Sequence, residues 1–210
     1  MKRLALLGAS GHGKVVAEAA LASGWGAIEF FDDSWPRLLN NGRWKVIGDT
    51  ASLLSHFDKY DGVLVSIGNC FSRWEKHQAL EAVGATLAIV IHPSATVSQY
   101  AELGSGTVVM AGAVIQVDAI LGQAVIVNTG ATVDHDCRLD DAVHICPGAH
   151  LSGHVNVGLG SWVGVGAAVK QGVSIGERVV VGAGAVVIHA VPNAQTVVGN
   201  PARVAQTRAM

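Results

Sequence analysis

Between positions 97 and 187 every sixth residue is aliphatic, without a break: Val97, Leu103, Val109, Ile115, Leu121, Val127, Val133, Leu139, Ile145, Leu151, Val157, Val163, Val169, Ile175, Val181 and Val187. Two places before each stands a small or β-branched residue, from Ala95 and Ala101 through Cys137 and Ala149 to Ala185. A period of six fits neither an α-helix, at 3.6, nor a lone strand, at 2. It fits a solenoid of short strands joined by tight corners, the signature of a parallel β-helix. With three hexads per coil, residues 95–190 make about five coils. Each aliphatic residue and its small partner point inward and fill a narrow triangular core at high density. Outward positions are apolar too, at Val108, Val114, Ile120, Ile126 and Trp162. That predicts their burial between subunits, and a triangular prism with one apolar face suits threefold symmetry.

The first ninety residues follow a different pattern. Residues 3–7 read as an apolar strand, followed by the loop Gly8-Ala9-Ser10-Gly11-His12-Gly13 and a helix over 14–23. Further strands are expected at 28–31, 62–67 and 85–91, with helices at 50–56 and 71–83. Alternating strands and helices imply a small parallel sheet of the doubly wound kind. The breaker-rich stretch 34–47 reads as a surface excursion. The predicted organisation is a Rossmann-like α/β domain over 1–92, then a β-helix domain with its C-terminal tail over 93–210.

Half of the residues are hydrophobic and only 14% are charged, enough for a substantial core. A net charge of −2 without a Lys/Arg cluster argues against a nucleic-acid backbone as partner. The apolar run at 4–7 is too short for a leader peptide, and no run approaches the roughly 20 residues of a membrane span. Cys70, Cys137 and Cys146 form no metal or disulfide pattern. A cytoplasmic protein is expected.

Two segments carry chemistry. A glycine loop between strand and helix aims backbone N–H groups at a phosphate, and the helix dipole adds to the attraction. Its spacing, G-x-x-G-x-G, is not that of dinucleotide enzymes, which argues against NAD. The pair Asp32-Asp33 lies at the carboxyl end of the second strand, near where such sheets hold ribose or base, although an Asp pair there also suits a plain solvated turn. The second segment runs from Asn128 to Cys137. His135 lies two places after the inward Val133, so it projects at a corner between Asp134 and Asp136. Flanking carboxylates hold a histidine in one tautomer and make it more basic, as a general base requires; a corner histidine in a structural hydrogen bond is the plainer alternative. Residues 18 apart stack in one column, so Gly153 sits one coil beyond His135 and leaves room for a substrate group. His144, half a coil away, cannot share that column and would meet His135 only across a subunit interface. His150 and His154 read as surface or interface residues. No two of these four histidines are 18 apart, so no metal is expected. Cys137 falls on an inward position and reads as core.

The Gly8-to-Gly13 loop, Asp32-Asp33, Ile67-Gly68-Asn69 with Arg73, Ile91-His92-Pro93-Ser94, Asn128-Thr129 with His135-Asp136-Cys137, Val143-His144-Ile145 and Gly199-Asn200-Pro201 occur together here. On these motifs the chain resembles the nucleotide-aminosugar N-acetyltransferases of the bacillosamine pathway, within the sialic-acid O-acetyltransferase-like group. The resemblance implies a left-handed β-helix, a homotrimer with active sites between subunits, and direct acetyl transfer. The donor it implies is acetyl-CoA, a co-substrate and not a resident cofactor, and the acceptor is the 4-amino group of a UDP-linked 4-amino-4,6-dideoxy sugar. It assigns His135 as base, Asp136 as its supporting carboxylate and Asn128 as an orienting group. It assigns His144, Gly153, Val165 and Ala183 to acetyl-CoA, and Ser10, Gly11, His12, Gly13, Asp32, Asp33 and Gly68 to the nucleotide sugar. A GDP- or dTDP-linked amino sugar, the O-acetylation of a sialic acid, and a metal-dependent β-helix enzyme stand as alternatives.

Overall fold

The computed structural model describes residues 1–205; the last five residues of the predicted β-helix domain lie outside the described residues. The apolar run of β1 (Arg3–Leu7) forms the middle of a parallel sheet between β2 (Ala27–Phe31) and β5 (Gly62–Val65). Leu4, Leu6 and Phe30 are fully buried there, against Val16, Ala17 and Ala20 of α1 (Gly11–Ala22). On the other face, α2 (Thr50–His56) and α3 (Cys70–Ala82) bring Leu53 and Leu80 onto Ala5, Leu7 and Val65.

Three expectations change. The helix begins at Gly11, so only Gly8 to Ser10 remain as loop. The glycine-rich run loses to packing: a Cβ on Gly13 would lie 2.5 Å from the Gly8 carbonyl oxygen, so glycine is what lets the first helical turn close onto the strand end. The stretch 34–47 is not all excursion, because β3 (Asn40–Asn41) and β4 (Trp44–Gly48) form a hairpin whose second strand pairs in parallel with β2. The expected strand at 85–91 splits: Leu87 bridges Val63, whereas β6 (Val90–Ile91) pairs with Val108–Val109 of the solenoid.

From there to Val187, two-residue strands repeat around a three-faced prism, pairing with an offset of 18, as in Ile126↔His144 and Thr132↔His150; the closing coil is two residues shorter, with Val180 paired to Thr196. Each strand ends on the aliphatic residue of its hexad. From Val109 to Val187 these residues are buried, while Val97 and Leu103, at the start of the prism, are only partly so. Two inward positions are polar, Thr107 and Ser161. Each donates its hydroxyl hydrogen to a carbonyl of the next coil (Gly122 and Gly176) and accepts an N–H from it, so no polar group is stranded.

The three faces differ in what covers them. The face formed by Val108, Ile126, His144, Trp162 and Val180 carries the α/β part. Val108 and Ile126 are buried within this single chain, Val108 in the cluster with Val16 and Ala20 of α1, which corrects the expectation that they pack between subunits. Periodicity gave their direction correctly and said nothing of their cover. Arg73 of α3 locks this contact. Fully buried, it donates Nε–H to the Ala124 carbonyl (2.8 Å), Nη1–H to Ile67 and Gly68 (2.9 and 2.8 Å) and Nη2–H to Ala142 (2.7 Å). Ala124 and Ala142 are left-handed corner residues one coil apart, so one guanidinium fork ties two coils to the loop before α3.

Candidate active site

The sequence-selected residues gather at two separate corners of the prism. At the corner between the strands Thr132–Val133 and Arg138–Leu139, the chain turns through His135 and through Asp136, whose φ is 60°. His135 Nδ1 lies 2.7 Å from Asp136 Oδ2. A carboxylate on Nδ1 keeps the ring proton there and leaves the Nε2 lone pair free, the state a proton acceptor needs. The hydrogen bond from His135 in turn holds the Asp136 carboxyl below the usual carboxylate range. Gly153 sits one coil on, as the spacing of 18 predicts, but with a different purpose from the one expected. A Cβ there would lie 2.5 Å from both Cε1 and Nε2 of His135, so the glycine makes room for the imidazole itself. Among the described backbone bonds its N–H has no acceptor.

His154 also belongs to this corner, and the histidine-to-histidine spacing missed it. It is 18 residues from Asp136, with φ of 58°, and its Nε2 stands 3.4 Å from the same Oδ2 that accepts from His135. His135, Asp136 and His154 thus place three ligand-type atoms within 4.8 Å of one another, a set that can hold a divalent cation and that the argument from shared columns had excluded. Cys137 faces inward as expected; burial pushes its thiol up to about 11, so it is no nucleophile.

The second corner follows the covered face. Asn128 donates its amide Nδ2–H to His144 Nε2 (3.1 Å), and His144 Nδ1–H donates to the Gly68 carbonyl (3.2 Å). Because the amide nitrogen can only donate, His144 is neutral with its proton on Nδ1; burial, then the Arg73 charge, lower its pKa to about 3. Asn128 therefore orients His144 in the single chain, not His135. The His12 ring lies 6.1 Å from that of His144 and is lowered to about 4 for the same two reasons. Its buried Nε2 has no partner among the described residues.

Ser10, the N-cap residue of α1, makes no side-chain capping bond, and no acidic residue occupies the first turn, so the helix presents free N–H groups beside His12. Gly11 and Gly68 meet nothing where a Cβ would be, which leaves open space there. Asp32 and Asp33 are already engaged. Asp32 accepts the N–H groups of Ala9 and Ser34, and Asp33 accepts the Thr50 N–H and pairs with Lys76 at 2.9 Å, which lowers it to about 2. Val165 and Ala183 are exposed at the corner beyond His144, one coil apart. A single chain thus brings His135, Asp136 and Gly153 together, and separately Asn128, His144, His12 and Gly68.

The family described as the PglD N-terminal domain matches residues 3–80. The acetyltransferase domain of PglB from Neisseria gonorrhoeae FA1090, solved with acetyl coenzyme A, is 46% identical over 97% of this chain and 99% of that one, with a TM-score of 0.93. The chain belongs to the PglB/PerB family of sugar N-acetyltransferases. PerB from Caulobacter crescentus, solved with CoA and GDP-perosamine, is 37% identical over 98% of both chains, also at a TM-score of 0.93. A UDP-N-acetylbacillosamine N-acetyltransferase of Bacillus subtilis (strain 168) is 38% identical over 117 residues; the match spans 53% of this chain and about half, 52%, of that protein. The family fold, a small α/β domain followed by a left-handed β-helix, is the fold of this chain. Among the described residues no helix is long and apolar enough to cross a membrane.

Proposed function

We propose that the chain transfers the acetyl group of acetyl-CoA to the 4-amino group of a nucleotide-linked 4-amino-4,6-dideoxy sugar, with His135 as general base. The observation that carries this reading is the His135–Asp136 pair: an exposed imidazole whose Nδ1 faces a carboxylate and whose Nε2 is free. An amine attacks a thioester only through its lone pair. Nε2 would take the proton as the C–N bond forms, and CoA would leave as its thiol. The unbonded Gly153 N–H beside the ring is suited to the oxyanion, a donor worth about 3 kcal/mol. The core position of Cys137 supports direct transfer with no acyl-enzyme.

In this reading residues 1–92 hold the nucleotide sugar, with its diphosphate at the uncapped start of α1 near Ser10, Gly11 and His12, and Gly68 beside it. Residues 93–210 hold acetyl-CoA along the corner of Asn128, His144, Val165 and Ala183. Because His135 sits at a different corner of the prism, a homotrimer would complete each site between subunits. UDP is the first choice of nucleotide, on the Bacillus relative; the ligand of PerB makes GDP the second.

The test follows CoA release with a thiol reagent across UDP-, dTDP- and GDP-linked 4-amino sugars. Fast release is expected with one of them. His135→Ala should lower the rate by about 10²- to 10⁴-fold while nucleotide binding persists. Release with none of the three, or a near-fully active His135→Ala protein, refutes the reading.

A further inference from the structure

We propose that His154 is a positioning residue for the candidate base: it holds the Asp136 carboxylate in the orientation that keeps the His135 proton on Nδ1. The inference rests on the reading of His135 as base, but its primary test does not. His154 is tied to the pair twice. Its backbone N–H donates to the His135 carbonyl (3.0 Å), and its ring Nε2 stands 3.4 Å from Asp136 Oδ2. Its ring lies edge-on to His135, with centroids 5.4 Å apart and an interplanar angle of 89°.

The geometry of the corner explains why such a residue is needed. The Asp136 side chain is 41% exposed. A carboxylate held by one imidazole alone rotates freely about that bond, and the same imidazole is then free to exchange its proton between two nitrogens. The His154 ring, presented from the next coil with Nε2 3.4 Å from Oδ2, narrows that rotation by its contact with the carboxylate. His154 reaches the oxygen because the 18-residue coil stacks residue 154 directly on 136 and because both residues turn the corner in the left-handed region. It does not touch the reacting atoms, so its effect is on the population of the productive tautomer.

The experiment uses the full chain with ¹⁵N-labelled histidine, at a pH where the exposed imidazoles are neutral. The Nδ1–H share of His135 is read by NMR, and kcat and KM for both substrates are measured alongside. Glycine is the right deletion at residue 154, because it accepts the φ of 58° without strain. His154→Gly should reduce the Nδ1–H share of His135 and lower kcat about 3- to 10-fold with both KM values unchanged. That is far short of the roughly 10⁴-fold loss when a triad histidine is left in the wrong tautomer. His154→Gln, which restores an N–H donor of similar reach, should recover both. An unchanged tautomer in His154→Gly overturns the proposal, as does a glutamine variant no better than glycine. A shifted tautomer together with a fully active His135→Ala protein would uphold the placement of His154 and remove His135 as base.

Discussion

Gly153→Ala separates the geometry of the proposed base, His135, from the stability of the fold. Gly153 is not among the positive-φ residues, so alanine fits the backbone. The added Cβ would lie 2.5 Å from Cε1 and Nε2 of His135 and 3.1 Å from Nδ1, well inside van der Waals contact. Something must move, and the easiest thing to move is the ring, which is about half exposed and held mainly by its bond to Asp136. The coil itself is locked by the buried Leu151 and Val155 on either side. The imidazole should therefore swing off Asp136 while the solenoid stays intact. The expected cost is that of losing an oriented base, about 10²- to 10³-fold in kcat, with a thermal midpoint within about 2 °C of the parent, as for a surface change well below 1 kcal/mol. CoA release at saturating substrates gives the rate, and calorimetry gives the midpoint. A variant retaining more than half its activity would show that the ring never lay over Gly153. A variant inactive only because it unfolds would show that the coil, not the ring, gives way.

Two further outcomes follow from the interface between the α/β part and the prism. Arg73→Met removes the donors of four carbonyl bonds to Ala124, Ile67, Gly68 and Ala142; the relief of no longer burying a charge offsets part of this, and a net loss of about 3 kcal/mol in urea unfolding is expected, whereas less than 1 kcal/mol would mean the clamp is dispensable. His144 is neutral when folded, at about 3 against 6.5 when unfolded, so between those values the unfolded chain binds more protons and stability rises with pH. Its contribution is complete above about pH 6.5 and falls on acidification, by about 2 kcal/mol at pH 5. His144→Gln should flatten that slope between pH 7 and 5 in urea titrations, and an unchanged slope would refute the assignment.

The prism was almost fully legible because its grammar is local: one aliphatic residue per hexad specifies direction, and every coil repeats the same solution. Cover is not local. Val108 and Ile126 point outward as the period requires, yet both are buried within the single chain, Val108 in the cluster with α1, and nothing within a hexad distinguishes that from burial by a second chain. The start of α1 failed for a related reason. Gly11 and Gly13 each cost about 1 kcal/mol in a helix, which makes the run read as loop. The close approach of Gly13 to the Gly8 carbonyl, invisible in the sequence, decides the opposite.

At the candidate site, the offset of 18 found Gly153 and would have found His154 had it been applied from Asp136 as well as from the histidines. The residues that escaped are those whose role is set by what lies opposite. Asn128 stands seven residues before His135, yet a strand and a corner carry it to the other edge of the face, where its amide donor fixes the tautomer of His144. Asp32 and Asp33 read as ribose ligands by position, and the folded chain already uses both, one to hold Ala9 at the end of the glycine loop and one to join Thr50 and Lys76. A nucleotide bound there would have to compete with those bonds. The open space at Gly11 and Gly68, together with the unpartnered Nε2 of His12, makes no such demand and is where a ligand can enter without breaking the fold.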